Sequence, residues 1–190
     1  MRKIRGFKLS LRFKEIQRRA KRAKVDLAAS GLGADTALAT WLETITAKAQ
    51  PSVIYDSFPP ETAAPTGATS IPGLAYTLCV ATLGPDIDAF SEAEVSATPQ
   101  RGTILDIVLA AALEQAVGFV LALVQEEAQA ERCVLSPIQY ITGSAPLEAV
   151  LSRLEGHKIG VALSDAGLRP LRSTAFSLSW LAQRKSRAKS

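Results

Sequence analysis

The stretch Thr103–Glu127, TILDIVLAAALEQAVGFVLALVQEE, constrains this chain more than any other. It holds no proline and one internal glycine, Gly118, and its Ala/Leu content predicts one continuous helix rather than a strand. Ile104, Val108, Ala111, Ala112, Gln115, Phe119, Ala122 and Leu123 fall near one face, yet Leu109, Leu113, Val117, Val120 and Leu121 spread apolar surface most of the way round. Such a helix must be wrapped on several sides by protein or by lipid. A bilayer span needs about 20 predominantly apolar residues, and an acidic residue at its centre costs roughly 2.5 to 3.5 kcal/mol. Glu114 and Gln115 occupy that centre and Asp106 adds to the cost, so the expectation is a core helix and no membrane. The basic N-terminus is not followed by an apolar segment of signal-peptide type, which points to the cytoplasm.

The chain has 190 residues, 47% hydrophobic and 21% charged, enough for one domain with a substantial core. Its net charge of +4 hides an asymmetry. Residues 1–24 hold eleven Lys/Arg and one Glu, the tail from Arg184 holds four Lys/Arg, and the remainder holds 7 basic and 17 acidic residues. The basic ends are suited to gripping an anionic partner, to solubility, or to docking back on the acidic body. Cys79 and Cys133 lie in apolar surroundings and read as reduced core thiols, with a single disulfide between them left open by the sequence. His157 is the one histidine, placed as a turn residue, and no Cys/His cluster forms a metal site.

Phe7, Leu9, Leu11 and Phe13 alternate with polar residues, predicting a strand with one buried face. From Lys14 the period becomes helical, with Ile16, Ala20 and Ala23 opposite Arg18, Arg19, Lys21 and Arg22. No aromatic residue is interleaved there for base stacking, so a solvated face is preferred to a nucleic-acid surface. Asp35 or Thr36 caps a helix carrying Leu38, Trp41, Leu42 and Ile45. Pro51–Phe58 reads as a strand, residues 59–73 as a Pro/Gly-rich link, and Ala75–Leu83 as a central strand with both faces apolar. A short helix is expected over Asp86–Phe90 and a polar turn over Ser96–Gly102. After the long helix come a strand at Cys133–Leu135, a helix at Leu147–Leu154, and strands at Lys158–Leu163 and Thr174–Leu181. This order predicts an α+β fold, a twisted, mainly antiparallel sheet packed with the long central helix. The domain is expected over residues 7–181, with a basic arm at 1–6 and a basic tail at 182–190.

Several separated segments, TLGPDID (Thr82–Asp88), the Ala-rich helix, Ser136-Pro137 with Tyr140, and KIGVALSDAGLRPLRS (Lys158–Ser173), occur in an order that resembles the activation domain of cobalamin-dependent methionine synthase. FKEIQRRA and PSVIYDSF look like the start of that domain's stand-alone relatives, so the likeness spans about residues 7–178. The resemblance implies a curved α+β domain that binds S-adenosylmethionine and caps the corrinoid of a partner. In that family the domain presents the sulfonium methyl to oxidised cobalt while flavodoxin supplies an electron, restoring methylcobalamin. It further implies Arg132, Ser136, Pro137, Tyr140, Arg172 and Ser173 as cofactor-binding residues, and a corrinoid protein or cobalamin-dependent methyltransferase as partner. A homodimer is left open. No residue is assigned as catalytic acid or base.

Two departures accompany the likeness. The family's ligand loop reads Arg-x-Ser/Ala-Pro-Gly-Tyr; here Arg132 lies two positions too early and Ile138-Gln139 replaces the glycine. In the long helix the family carries Gly-Ser-Ala-Ala-Val-Glu, and matching Ala116-Val117 puts Gly118 at the glutamate position. The alternative expectation is therefore a non-catalytic interaction module that kept the fold and lost S-adenosylmethionine. A weaker one is a nucleic-acid-binding basic arm.

Overall fold

The computed structural model describes residues 1–60 and 71–183. The expected Pro/Gly-rich link falls largely on residues 61–70 and the basic tail on 184–190, outside the described residues. The fold is α+β, with every strand pair antiparallel. The sheet runs β1 (Arg2–Arg5), β2 (Ser52–Phe58), β3 (Ala75–Thr82), β8 (Ser173–Ala182), then β4 (Cys133–Leu135) and β5 (Gln139–Tyr140) together on the far side of β8. A separate hairpin joins β6 (Ala162–Ser164) to β7 (Gly167–Arg169). The helices are α1 (Phe13–Arg22), α2 (Asp35–Lys48), α3 (Asp86–Ala97), α4 (Gly102–Ala130) and α5 (Ser144–Arg153).

The central position of β3 follows from its composition. All but its first residue are buried, as apolar character on both faces requires. One face of the sheet, through Val53, Tyr55, Cys79, Phe176, Leu178 and Trp180, packs on the C-terminal half of α4 at Val117, Val120 and Val124. The opposite face, through Ile54, Leu78, Val80 and Ala175, packs on Leu147, Val150 and Leu154 of α5 and its continuation. The N-terminal half of α4, with Ile104, Leu105, Val108 and Leu109, packs instead into a cluster with α1, α2 and α3. The long helix thus runs from a helical cluster onto the sheet, which explains why it is apolar most of the way round. By length and composition it is a candidate membrane span; with Ile104, Val108, Ala112, Val120 and Val124 buried by the rest of the chain, its packing is compatible with a soluble protein. Cys79 and Cys133 are free and buried, as their surroundings predicted, and burial pushes the Cys79 thiol well above its ordinary pKa.

Five expectations need correction. Neither Asp35 nor Thr36 caps α2: Ala34 holds the N-cap position with no side-chain hydrogen bond, and Asp35, in the first turn, accepts from Gln17 Nε2 at 2.7 Å. Residues 7–12 form no strand. Their alternation is real, since Leu9 is buried and Phe7, Leu11 and Phe13 are partly buried, but the segment lies on helices rather than on a sheet edge. Phe7 stacks on Phe119 of α4, with ring centroids 4.3 Å apart. The edge strand is instead Arg2–Arg5, inside the segment expected as an arm, held in register Arg2↔Tyr55 to Arg5↔Ser52. Lys158–Leu163 is not one strand: Gly156–Ile159 is a 3-10 turn, and the strand begins at Ala162. The helix at Asp86 extends to Ala97, because Ile87 is buried and Phe90 packs partly buried against the helical cluster, and the chain turns only at Pro99.

Candidate functional site

The segments carrying the resemblance converge on the β3–β8 pair. At the end of β3, Thr82 Oγ1 accepts hydrogen bonds from Ser173 Oγ at 2.8 Å and from Gly84 N at 3.1 Å. Leu83 N donates to Arg172 O at 3.0 Å, and Leu171 N donates to Asp88 Oδ2 at 2.7 Å. The Arg172 guanidinium ion-pairs with Asp106 in the second turn of α4. TLGPDID, PLRS and the start of the long helix therefore form one hydrogen-bonded junction. Gly84 makes it possible: its φ is +89°, and a Cβ there would sit 2.9 Å from Gln50 Cβ. Pro85 then starts α3, with Asp86 and Asp88 in its first turn where the helix dipole favours carboxylates. The second oxygen of Asp88, Oδ1, is buried without a hydrogen-bond partner among the described residues. Beside the junction lies a concavity of about 610 Å³ lined by Ser91, Val95, Gly102, Thr103, Asp106 and Arg172.

The remaining predicted residues lie along the other edge of β8. Leu135 pairs with Trp180 and Gln139 with Ser177, so Pro137 and Ile138 together oppose Leu178 in a β-bulge. Ser136 closes the ladder just before the bulge. Its N–H donates to Ser179 O at 2.8 Å, and its hydroxyl accepts from Ser179 N at 2.9 Å in place of a strand carbonyl. Arg132 follows α4 in the left-handed conformation, φ +57°, donates its N–H to Gln129 O at 3.0 Å, and is the residue that ends the helix. Tyr140 is 58% exposed, its ring tilted against Phe176 at 6.2 Å.

Ser173 and Ser179, which anchor the two groups, are six residues apart on β8. At about 3.3 Å per residue they are separated by roughly 20 Å. Arg172 and Ser173, consecutive in the chain, lie at the junction, while Ser136 and Arg132 belong to the other end of the strand. The side chains of Ser136, Arg172 and Ser173 each have a defined internal partner, whereas Arg132 acts through its backbone. Of the six, Arg172 alone lines any of the four concavities described at residues 9–14 with α2, at 31–44, at 49–52 with 84–85, and at 91–106.

On α4, Gly118 is exposed, with nothing within 4 Å of where a Cβ would be. Glu114, one turn earlier, is 2.7 Å from Arg19 of α1. Arg19 also bonds Glu15 at 2.8 Å, and its hydrogen bonds to Glu114 and then Glu15 hold its pKa above the ordinary value. The carboxylate nearest the expected ligand position is thus spent on helix–helix docking. As arranged, these residues do not fit S-adenosylmethionine: Ser136 is consumed by the sheet, Arg172 by Asp106, and Gly118 offers no carboxylate to a sulfonium cation.

Thr82, Asp88 and Asp106 went unrecognised as partners of the PLRS segment. TLGPDID was visible as a segment, but nothing local reveals that its hydroxyl and carboxylate would meet residues 171–173. His157 is exposed in the 3-10 turn at Gly156–Ile159. Among the described residues no group of three or more His, Cys, Asp or Glu is placed to hold a metal ion. Compared with models of known protein families and with curated proteins, the chain matches none.

Proposed function

We propose that this chain is a methionine synthase activation domain-like protein of the cytoplasm that docks on a corrinoid protein or cobalamin-dependent methyltransferase without itself binding S-adenosylmethionine. The observation that carries the reading is the junction at the ends of β3 and β8. Segments that resemble the family in order, Thr82–Asp88, the start of the long helix and the end of Lys158–Ser173, are tied to one another by direct hydrogen bonds and an ion pair. An ordered resemblance spread over distant segments gains weight when those segments form one structural unit. The preference for docking over methyl transfer rests on Gly118, on the Ser136 hydroxyl bonded into the sheet, and on the Glu114–Arg19 pair. No residue in this arrangement pairs a nucleophile with a base, so a scaffold role asks no acid–base chemistry of the chain.

Two calorimetric titrations test the proposal. The chain is titrated with S-adenosylmethionine and then with a corrinoid-loaded methyltransferase. The expected outcome is no heat with the first and saturable binding with the second. Binding of S-adenosylmethionine would restore the methyl-transfer version, and binding of neither would remove the reading.

A further inference from the structure

We infer that the groove between residues 9–14 and α2 binds a medium-chain carboxylate, its alkyl chain lying along α2 and its anionic head at Arg12 and Lys14. This stands independently of the corrinoid reading.

The groove originates in the sequence of α2. Ala39, Leu42, Glu43, Thr46 and Ala47 recur at i, i+3, i+4, i+7 and i+8, so they form one stripe of the helix, and all five line the groove. The stripe lies beside the core stripe of Leu38, Trp41, Leu42 and Ile45 and shares Leu42 with it. Two of its members are alanines, whose short side chains leave the space that the groove occupies. The facing wall carries Leu11 and Phe13, both half-buried. Leu9 and Leu42, 4% and 3% exposed, close the floor. Arg12, Lys14 and Glu43 are exposed at the rim. The result is an apolar trench of about 670 Å³ with a charged lip.

Size, shape and polarity select the ligand class. The volume falls in the range of about 300 to 1,000 Å³ that holds small ligands. Between Ala39 and Ala47 the helical wall runs for about 12 Å at roughly 1.5 Å per residue, the length of an extended chain of about ten carbons joined by bonds of about 1.5 Å. Polar groups along the trench are already engaged. The Thr46 hydroxyl donates to Leu42 O at 2.8 Å, and the Ser10 N–H and carbonyl are both taken by the Gln115 side chain. The walls therefore suit an alkyl chain better than a polar molecule. Charge selects the head group. Neither Arg12 nor Lys14 has an ion-pair partner among the described residues, in contrast to Arg19, and Glu43 is the one acidic residue lining the groove. Arg18, Lys21 and Arg22, exposed on α1, add to the positive field. The tail 184–190 holds four Lys/Arg and no acidic residue, so it carries the rim's own sign and does not suit the site.

The probes are sodium hexanoate, octanoate and decanoate, each titrated calorimetrically below its micelle concentration into the full chain. Saturable decanoate binding is expected with a Kd below about 1 mM, and affinity should rise roughly threefold to fourfold per methylene from hexanoate to decanoate. Decylammonium, of the same length and opposite charge, is expected to bind at least about tenfold more weakly. The exposed double variant Arg12→Ala, Lys14→Ala should weaken decanoate at least about fivefold and narrow its advantage over decylammonium. Ala39→Trp, with its fold verified by circular dichroism, is expected to block binding. The proposal is overturned if decanoate does not bind up to about 1 mM, if decylammonium binds equally well, or if the double variant binds decanoate as the wild type does. Cosedimentation with phosphatidylglycerol vesicles in the absence of decanoate binding also overturns it, since the surface then meets a membrane. So does a dimer in sedimentation that Ala39→Trp dissociates, since the occupant is then a second copy of the chain.

Discussion

Gln115 illustrates how a single polar residue in an apolar run is used. Its amide satisfies both backbone groups of Ser10, one as donor and one as acceptor, and so tethers the N-terminal segment to α4. Because the contact is exposed, Gln115→Ala is expected to cost about 1 kcal/mol in urea unfolding, with faster hydrogen exchange at the Ser10 amide as the local signature. Glu15 makes a second prediction. The hydrogen bond from Arg19, and then its charge, hold the Glu15 carboxyl below its ordinary pKa. A depressed carboxyl contributes stability that is present above the unfolded value, about 4.3, and is lost as pH falls through the lower folded value. The Tm difference between wild type and Glu15→Gln should therefore be present at about pH 6 and close towards about pH 2.5. The Cys79 thiol, fully buried and pushed up in pKa, is expected to resist iodoacetamide until the chain is unfolded by urea.

The element that most needs testing is α4. Val108 is buried in the helical cluster, while Ala110 faces out on the same helix, along a stripe with Glu114, Gly118 and Ala122. Val108→Asp should cost more than about 3 kcal/mol or prevent folding, whereas Ala110→Asp should stay within about 0.5 kcal/mol. A lipid-facing helix would penalise both, so equal damage on denaturant midpoints would contradict the packing described above. Gly118 is a helix-interior glycine with open space around its missing Cβ. Gly118→Ala is expected to stabilise by about 0.5 to 1 kcal/mol. The elements themselves were largely legible in the residues. The length and Ala/Leu content of Thr103–Glu127 set a helix, and the two-sided apolar run at Ala75–Leu83 set an inner strand. Phe7–Phe13 shows the limit: its alternation correctly marks Leu9 as buried, yet period two is obeyed by any extended segment, whether its neighbour is a strand or a helix.

At the scale of the molecule, the last strand sits in the middle of the sheet. β8 pairs with β3 along one side and with β4 and β5 along the other, so removing residues 173–190 takes all three pairings away at once. A chain ending at Arg172 is expected to lose its cooperative thermal transition, whereas deletion of residues 1–6 removes only an edge strand and should lower Tm while preserving the transition. The charge asymmetry is partly resolved on the same scale, since the Met1 amino group reaches Asp56 at 2.9 Å and Arg2 reaches Glu127 at 2.6 Å. The basic start therefore docks back on the acidic body, while the outer face of α1 does not. The sequence alone determined the α+β class, the core helix, the inner strand and the buried thiols, because each follows from local composition and spacing. Only the tertiary structure decided that Arg2–Arg5 forms an edge strand, that Ser136 closes a ladder, and that Thr82, Asp88 and Asp106 meet Leu171, Arg172 and Ser173. Spacing along a chain reports which side of a segment is covered; the identity of the covering group, and so of each polar side chain's partner, is set by residues far away in sequence.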